Sequence, residues 1–301
     1  MFYANGSIKE SKRVMKERNP LIFALVLFFV MSLAMSFSYI LIRFVLSLRG
    51  EGDFLIRKLG ENREYSMIFN LFSTLPVSLA VYFFVKYYQN RNSKSLGLID
   101  DRKGKSYLEG LLIGSSMLGL SFIFSYLLSG FKIRPNIYNI DLKLYIFFII
   151  GWIFQGFEEE FITRSVLMNY LGALRNPKVG IIANSLIFSI LHLGNSYFNL
   201  LAFVNIFLMG LVFSMLFYIR DSIYISAAAH SVWNFLQANF FGINVSGIIT
   251  SKNTIFLSES VGNKWISGGG FGIEGGLVVT IVEISALYLL YKKARQASLT
   301  R

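Results

Sequence analysis

Long apolar runs separated by short polar connections set the plan of this chain. The first run, 21–42, follows a basic stretch with Lys9, Lys12, Arg13, Lys16 and Arg18. It is too long for a signal-peptide core and lacks a small-residue cleavage site, so it reads as a retained membrane span. A locally neutral connection, 49–64, leads to a second run at 65–85. A basic loop with Lys86, Arg91, Lys94, Arg102, Lys103 and Lys105 precedes a third at 107–128. The fourth helix is expected from about 144 to 171, because no proline interrupts it and the apolar periodicity persists. Pro177 marks the start of a fifth, to about 193, followed by a sixth at 200–219 and a seventh at 223–241. A polar, Gly-rich connection then reaches residue 270, before a last span at 272–291. The expected fold class is therefore all-α, a polytopic membrane bundle of about eight transmembrane helices without an internal repeat. Its domain plan is a basic N-terminus (1–20), one membrane domain (21–291) and a basic tail (292–301).

Composition agrees with that pattern. The 301 residues are 54% hydrophobic, 16% aromatic and only 15% charged, with a mean hydropathy of +0.55; a soluble domain would have to expose much of that apolar surface. The net charge of +12 flanks the apolar runs instead of gathering into one patch, which argues for the positive-inside rule and against nucleic acid as a partner. Eight spans leave both termini on one side with the 86–105 loop, where most Lys and Arg fall. That side is expected to be cytoplasmic, in an integral protein of the cell membrane. The absence of Cys excludes disulfides, thiol nucleophiles and thiolate metal sites.

One stretch breaks the apolar pattern from within. Residues 156–167 set Glu158, Glu159, Glu160 and Arg164 inside the fourth helix. Ionisable groups at membrane depth cost roughly 2.5–3.5 kcal/mol even on insertion scales, so they face a protein interior or a watery cavity. Glu160 and Arg164 are spaced i, i+4 with the acid first, as an ion pair requires. Glu159 lies about 100° further round the helix, free to face another cavity as a base. A purely structural charge network would also account for these residues. The only two histidines, His192 and His230, fall late in expected spans. Phe188 precedes His192 by four residues and Asn234 follows His230 by four, so each histidine has a neighbour on its own helical face. Asn184, Asn199 and Asn205 read as interhelical hydrogen-bonding groups.

The three motifs Glu159-Glu160-x-x-x-Arg164, Phe188-x-x-x-His192 and His230-x-x-x-Asn234, in this order on successive helices, resemble those of the CPBP intramembrane proteases. That family includes CAAX prenyl endopeptidases and Abi-type bacteriocin-processing or self-immunity proteins. The resemblance covers roughly 96–291, and Phe271-Gly272-Ile273-Glu274-Gly275 looks like the start of the family's last helix. It implies hydrolysis of a peptide bond in a membrane-associated peptide or lipidated protein. Glu159, helped by His192, would activate water; His230 and Asn234 would stabilise the oxyanion; Glu160, Arg164 and Phe188 would support the site. No cofactor is expected on this reading. The rival is a zinc enzyme with Glu159, His192 and His230 as ligands, although no His-Glu-x-x-His is present. A serine mechanism lacks a Gly-x-Ser-x-Gly. A transporter, which would show repeat symmetry or discontinuous helices, and a non-catalytic scaffold or regulator remain as other classes.

Overall fold

The computed structural model describes residues 2–16, 18–48, 57 and 59–299; the connection expected at 49–64 lies largely outside them. Each of the eight expected apolar runs holds a helix. In chain order the helices are α1 (Gly6–Val14), α2 (Pro20–Ser47), α3 (Arg63–Tyr87), α4 (Lys103–Leu127), α5 (Leu142–Glu160), α6 (Asn169–Leu174), α7 (Pro177–Leu191), α8 (Leu200–Arg220), α9 (Ile223–Phe235), α10 (Lys264–Ser267) and α11 (Leu277–Leu299). Their starts follow local chemistry. Asn19, Asn62, Asp141, Asn176, Asn199 and Ser222 each precede a helix and accept a hydrogen bond from a backbone N–H of its first turn. Asn199 is therefore a cap, not the interhelical group expected of it. Asn184 and Asn205 do bridge elements: Asn184 donates to Ser214, and Asn205 to the carbonyls of Glu274 and Gly276.

Among the described residues, four helices have the length and hydropathy to cross a membrane: Pro20–Leu41, Arg63–Tyr87, Lys103–Leu127 and Leu200–Arg220. On α2, Leu21, Leu25, Phe28 and Phe29 are all more than half exposed, which only lipid makes tolerable in so long an apolar row. The chain is an integral membrane protein. Of the other helices, α11 has 23 residues, and the rest are shorter or carry the polar residues of the site.

At the centre stands α9, against α4 on one side and α5 on the other. Small residues allow this approach. A Cβ on Gly114 would lie 2.7 Å from Val232 Cγ1, and one on Gly156 2.8 Å from Ser231 Cα, so neither glycine accepts a side chain without moving α9.

The expected fourth helix does run unbroken through the acidic cluster, as α5, a π-helical stretch (Phe161–Met168) and α6. Three boundaries differ from expectation. Helix α7 ends at Leu191, leaving His192 as its cap. The last helix begins at Leu277, because Gly272 has φ 99° and Gly269–Phe271 and Ile273–Gly275 form 3₁₀ turns; the 271–275 motif lies before that helix, not in it. Residues 292–299 continue α11 and are no free tail.

Hydrogen bonds sort the connections into two groups. The N-terminal segment docks on the ends of α3 and α8: Ser7 donates to Asp221 (2.5 Å), Ser11 to the Ser95 carbonyl (3.0 Å) and Asn92 to Glu10 (2.7 Å). At the other ends of the helices, β1 (Phe131–Pro135) pairs antiparallel with β2 (Phe256–Ser260), with Phe131 opposite Ser260. Ser251 reaches Glu64 (3.2 Å) and Asn195 the Ser246 carbonyl (2.8 Å) there. The stretch expected as a plain polar connection is thus a folded cap with strand and short helix.

Candidate active site

The three sequence motifs converge between α5, α7, α8 and α9. Arg164 Nη1 meets Glu160 Oε1 at 2.9 Å, with both side chains fully buried. The guanidinium also donates to Thr163 Oγ1 (2.5 Å) and the Gly210 carbonyl (3.2 Å), and lies over the rings of Phe188 (4.6 Å) and Phe213 (5.5 Å). The cation is therefore held by a carboxylate, two neutral acceptors and two aromatic faces, with only its Nε left without a hydrogen-bond partner.

Glu159 turns the other way, as the 100° offset predicts. Its side chain is 29% exposed and lines a cavity of about 530 Å³, whereas neither Glu160 nor Arg164 lines it. Such a volume suits a short peptide segment. Gln155 joins the acid to the third motif: its Nε2 donates to Glu159 Oε1 (2.5 Å), and its Oε1 accepts from Asn234 Nδ2 (2.9 Å).

His230 sits between the two acids. Its Nδ1 is 3.0 Å from Glu160 Oε1 and its Nε2 is 3.6 Å from Glu159 Oε2. A carboxylate only accepts, so the proton on Nδ1 points to Glu160 and Nε2 faces Glu159. Phe213 stacks on the ring at 5.0 Å and 23°, fixing its plane. His192 lines the same cavity, but no hydrogen bond or ion pair joins it to Glu159. Its Nδ1 lies 2.8 Å from the Phe188 carbonyl, one turn back; since that oxygen must accept, Nε2 is the ring's acceptor. The histidine expected beside Glu159 is thus replaced there by His230. Helix α7 ends at Leu191 and leaves His192 as its cap. His230 lies near the middle of α9, not late in its span as expected, and a second π-helical stretch (Leu236–Phe240) continues the helix beyond it.

Sequence reasoning missed Gln155 and Phe213 and gave Glu274 no part in the site. Gln155 had a signal, a polar residue four before Glu159 on one helical face. Glu274 lines the cavity and accepts from Trp233 Nε1 (3.2 Å), Gln237 Nε2 (3.3 Å), and the Ser246 N–H (2.5 Å) and Oγ (2.9 Å). Its partners come from α9, from the π-helical stretch that follows it and from the capping connection, contacts that local sequence does not reveal. The extra acid, Glu158, also lines the cavity. Among the described residues, no three His, Asp or Glu side chains form a group that could hold a metal ion. Glu159, His192 and His230, the expected zinc-ligand set, form no such group as positioned.

The site thus sets a buried ion pair behind a cavity lined by an acid, two histidines and an amide. Residues 141–236 match the family described as type II CAAX prenyl endopeptidase, Rce1-like. The match runs from the cap of α5 to the first residue after α9 and holds all three motifs, in line with the resemblance they carry. What the match supports is a membrane protease. Searches of curated proteins and of solved structures returned no match.

Proposed function

We propose that this protein is an intramembrane endopeptidase that hydrolyses a peptide bond of a membrane-associated peptide or lipidated protein, with eight spans and both termini cytoplasmic. The observation that carries the reading is the division of labour between adjacent acids: Glu160 sealed with Arg164, and Glu159 facing the cavity beside His230 and, through Gln155, Asn234. A neutral His230 offers Nε2 as an acceptor, and Glu159 Oε2 is an acceptor 3.6 Å away. A group that donates to both fits between them, and water is the smallest. Glu159 takes a proton from that water as its oxygen attacks the scissile carbonyl carbon. The same proton then passes to the leaving nitrogen as the C–N bond breaks, giving a carboxylic acid and an amine; the acid's proton then passes to the amine, which leaves a carboxylate and an ammonium.

Asn234 has two amide protons, of which Gln155 holds one; the second is the donor for the oxyanion. A preorganised donor of this kind is worth roughly 10²- to 10³-fold in rate. His230, the second donor expected from the motif, instead holds the attacking water through Nε2 in this arrangement. His192 acts from the opposite wall, beside Glu274. Glu160, Arg164 and Phe188 hold His230 and the helix pair in register.

The test is a cleavage assay of the protein reconstituted in lipid, against a peptide library that includes lipidated members. Glu159→Gln keeps the size of the side chain and the link to Gln155 but cannot accept a proton. Loss of turnover with the folded yield intact supports the base; a fully active Glu159→Gln ends the proposal. A scaffold or regulator would bind without turnover in the parent as well.

A further inference from the structure

The cavity is closed at one end and lined by exposed residues at the other, and the two ends lie towards opposite faces of the protein. Its exposed lining comes from Arg63 and Asn70 in the first turns of α3, from Leu191 at the end of α7, and from Ile248 and Ile249 in the connection between α9 and α11. Ile248 is 54% exposed and Ile249 47%. These residues belong to the helix ends that β1, β2 and the Ser251–Glu64 and Asn195–Ser246 hydrogen bonds draw together.

The other end is shut. Ile162, Thr163 and Phe213 line it and are almost wholly buried. Beyond them the buried Arg91 donates to the carbonyls of Ser165 (2.7 Å), Val166 (2.8 Å) and Ser95 (2.8 Å) and to Ser11 Oγ (3.1 Å). This knot ties the π-helical stretch to the basic loop and to α1, filling the space between the cavity and the face that carries the N-terminus. No residue of α1, of the 88–102 loop or of the 221–222 turn lines the cavity.

We infer that substrate enters from the face opposite the one that carries both termini and the basic loop, so that its scissile segment is presented from outside the cytoplasm. This deepens the proposed protease reading and rests on it for the word substrate; the position of the mouth does not depend on activity. The lining also describes the entering segment. Leu191, Ile248 and Ile249, with Met31 and Met67 behind them, suit an extended peptide with apolar side chains, since methionine adapts to varied shapes.

The natural chain has no Cys, so single cysteines report accessibility without background. Ile249→Cys probes the mouth, Asn70→Cys is a second mouth position on a regular helix should the first not fold, and Lys94→Cys marks the opposite face. Cells expressing each variant are treated with a membrane-impermeant maleimide, intact or after lysis. The expected result is full labelling of the mouth cysteines in intact cells, and loss of labelling at Lys94→Cys unless the cells are lysed. Mouth and Lys94→Cys behaving alike would overturn the inference, since mouth and basic loop would then share a face. Labelling of Lys94→Cys from outside, with the mouth positions reached only after lysis, would overturn the extracytoplasmic entry while leaving the one-ended cavity intact. A parent that cleaves nothing while the labelling pattern holds would count against the protease reading alone.

Discussion

Removing the Arg164 guanidinium tests whether the ion pair is structural. In Arg164→Ala the Glu160 carboxylate keeps one partner, His230 Nδ1 at 3.0 Å, and its Oε2 has no hydrogen-bond partner even in the parent. Both side chains are fully buried, so no water replaces the lost charge. Breaking such a pair from one side costs roughly 3–5 kcal/mol, and the bonds to Thr163 and Gly210 go with it. That is a large share of the stability of a typical domain, about 5–15 kcal/mol, and the folded yield in detergent should fall sharply. The paired variant Arg164→Leu with Glu160→Leu replaces both charges by apolar groups. What remains exposed to loss is His230 Nδ1, an unsatisfied donor worth about 1–3 kcal/mol. The double variant should therefore be more stable than Arg164→Ala, although inactive through the misplaced His230. Thermal unfolding followed by tryptophan fluorescence and size-exclusion yield measures both. An Arg164→Ala protein as stable as the parent but without turnover would refute the reasoning and move Arg164 into the chemistry.

Further expectations concern metal, topology and pH. Purified protein should hold less than about one zinc per chain and keep its activity after exhaustive chelation, since three protein ligands alone would release both metal and rate; stoichiometric zinc that vanishes in His192→Ala and His230→Ala, with activity restored by added zinc, would reverse the assignment. Reporter fusions after Arg301 and within 92–105 should both give the cytoplasmic signal, and an external signal from either would sink the eight-span topology. Hydrogen bonds from Arg13 and then Asn92 hold the Glu10 carboxyl at about 2, below the usual 4.5. A depressed folded value means that the contribution is present above 4.5 and lost as pH falls towards 2. The difference in melting temperature between parent and Glu10→Gln should close over that window; a gap unchanged at pH 2 would contradict the contact.

Periodicity and local chemistry sufficed for the long helices. Apolar runs, Asn and Pro at helix starts, and the absence of proline from 144 to 171 located the eight long apolar runs, because capping and burial are decided within a few residues, but not the short polar helices α1 and α10. The Glu160–Arg164 pair and the separate facing of Glu159 were equally legible, since a helix fixes the angle between residues three or four apart. The chain's own pattern did not reveal which histidine meets Glu159. His192 and His230 look alike in sequence, and the outcome depends on where α7 stops and on how closely Gly114 and Gly156 let α9 approach its neighbours. Nor did it reveal Glu274 as a cavity residue, for its donors lie on α9, on the π-helical stretch that follows it and in the 246 region, and meet it only when the capping connection folds back. The side on which the cavity opens is a property of the same packing. A linear pattern records which residues are buried, whereas the closure of one end by Arg91 and the π-helical stretch arises from contacts between segments some seventy-five residues apart.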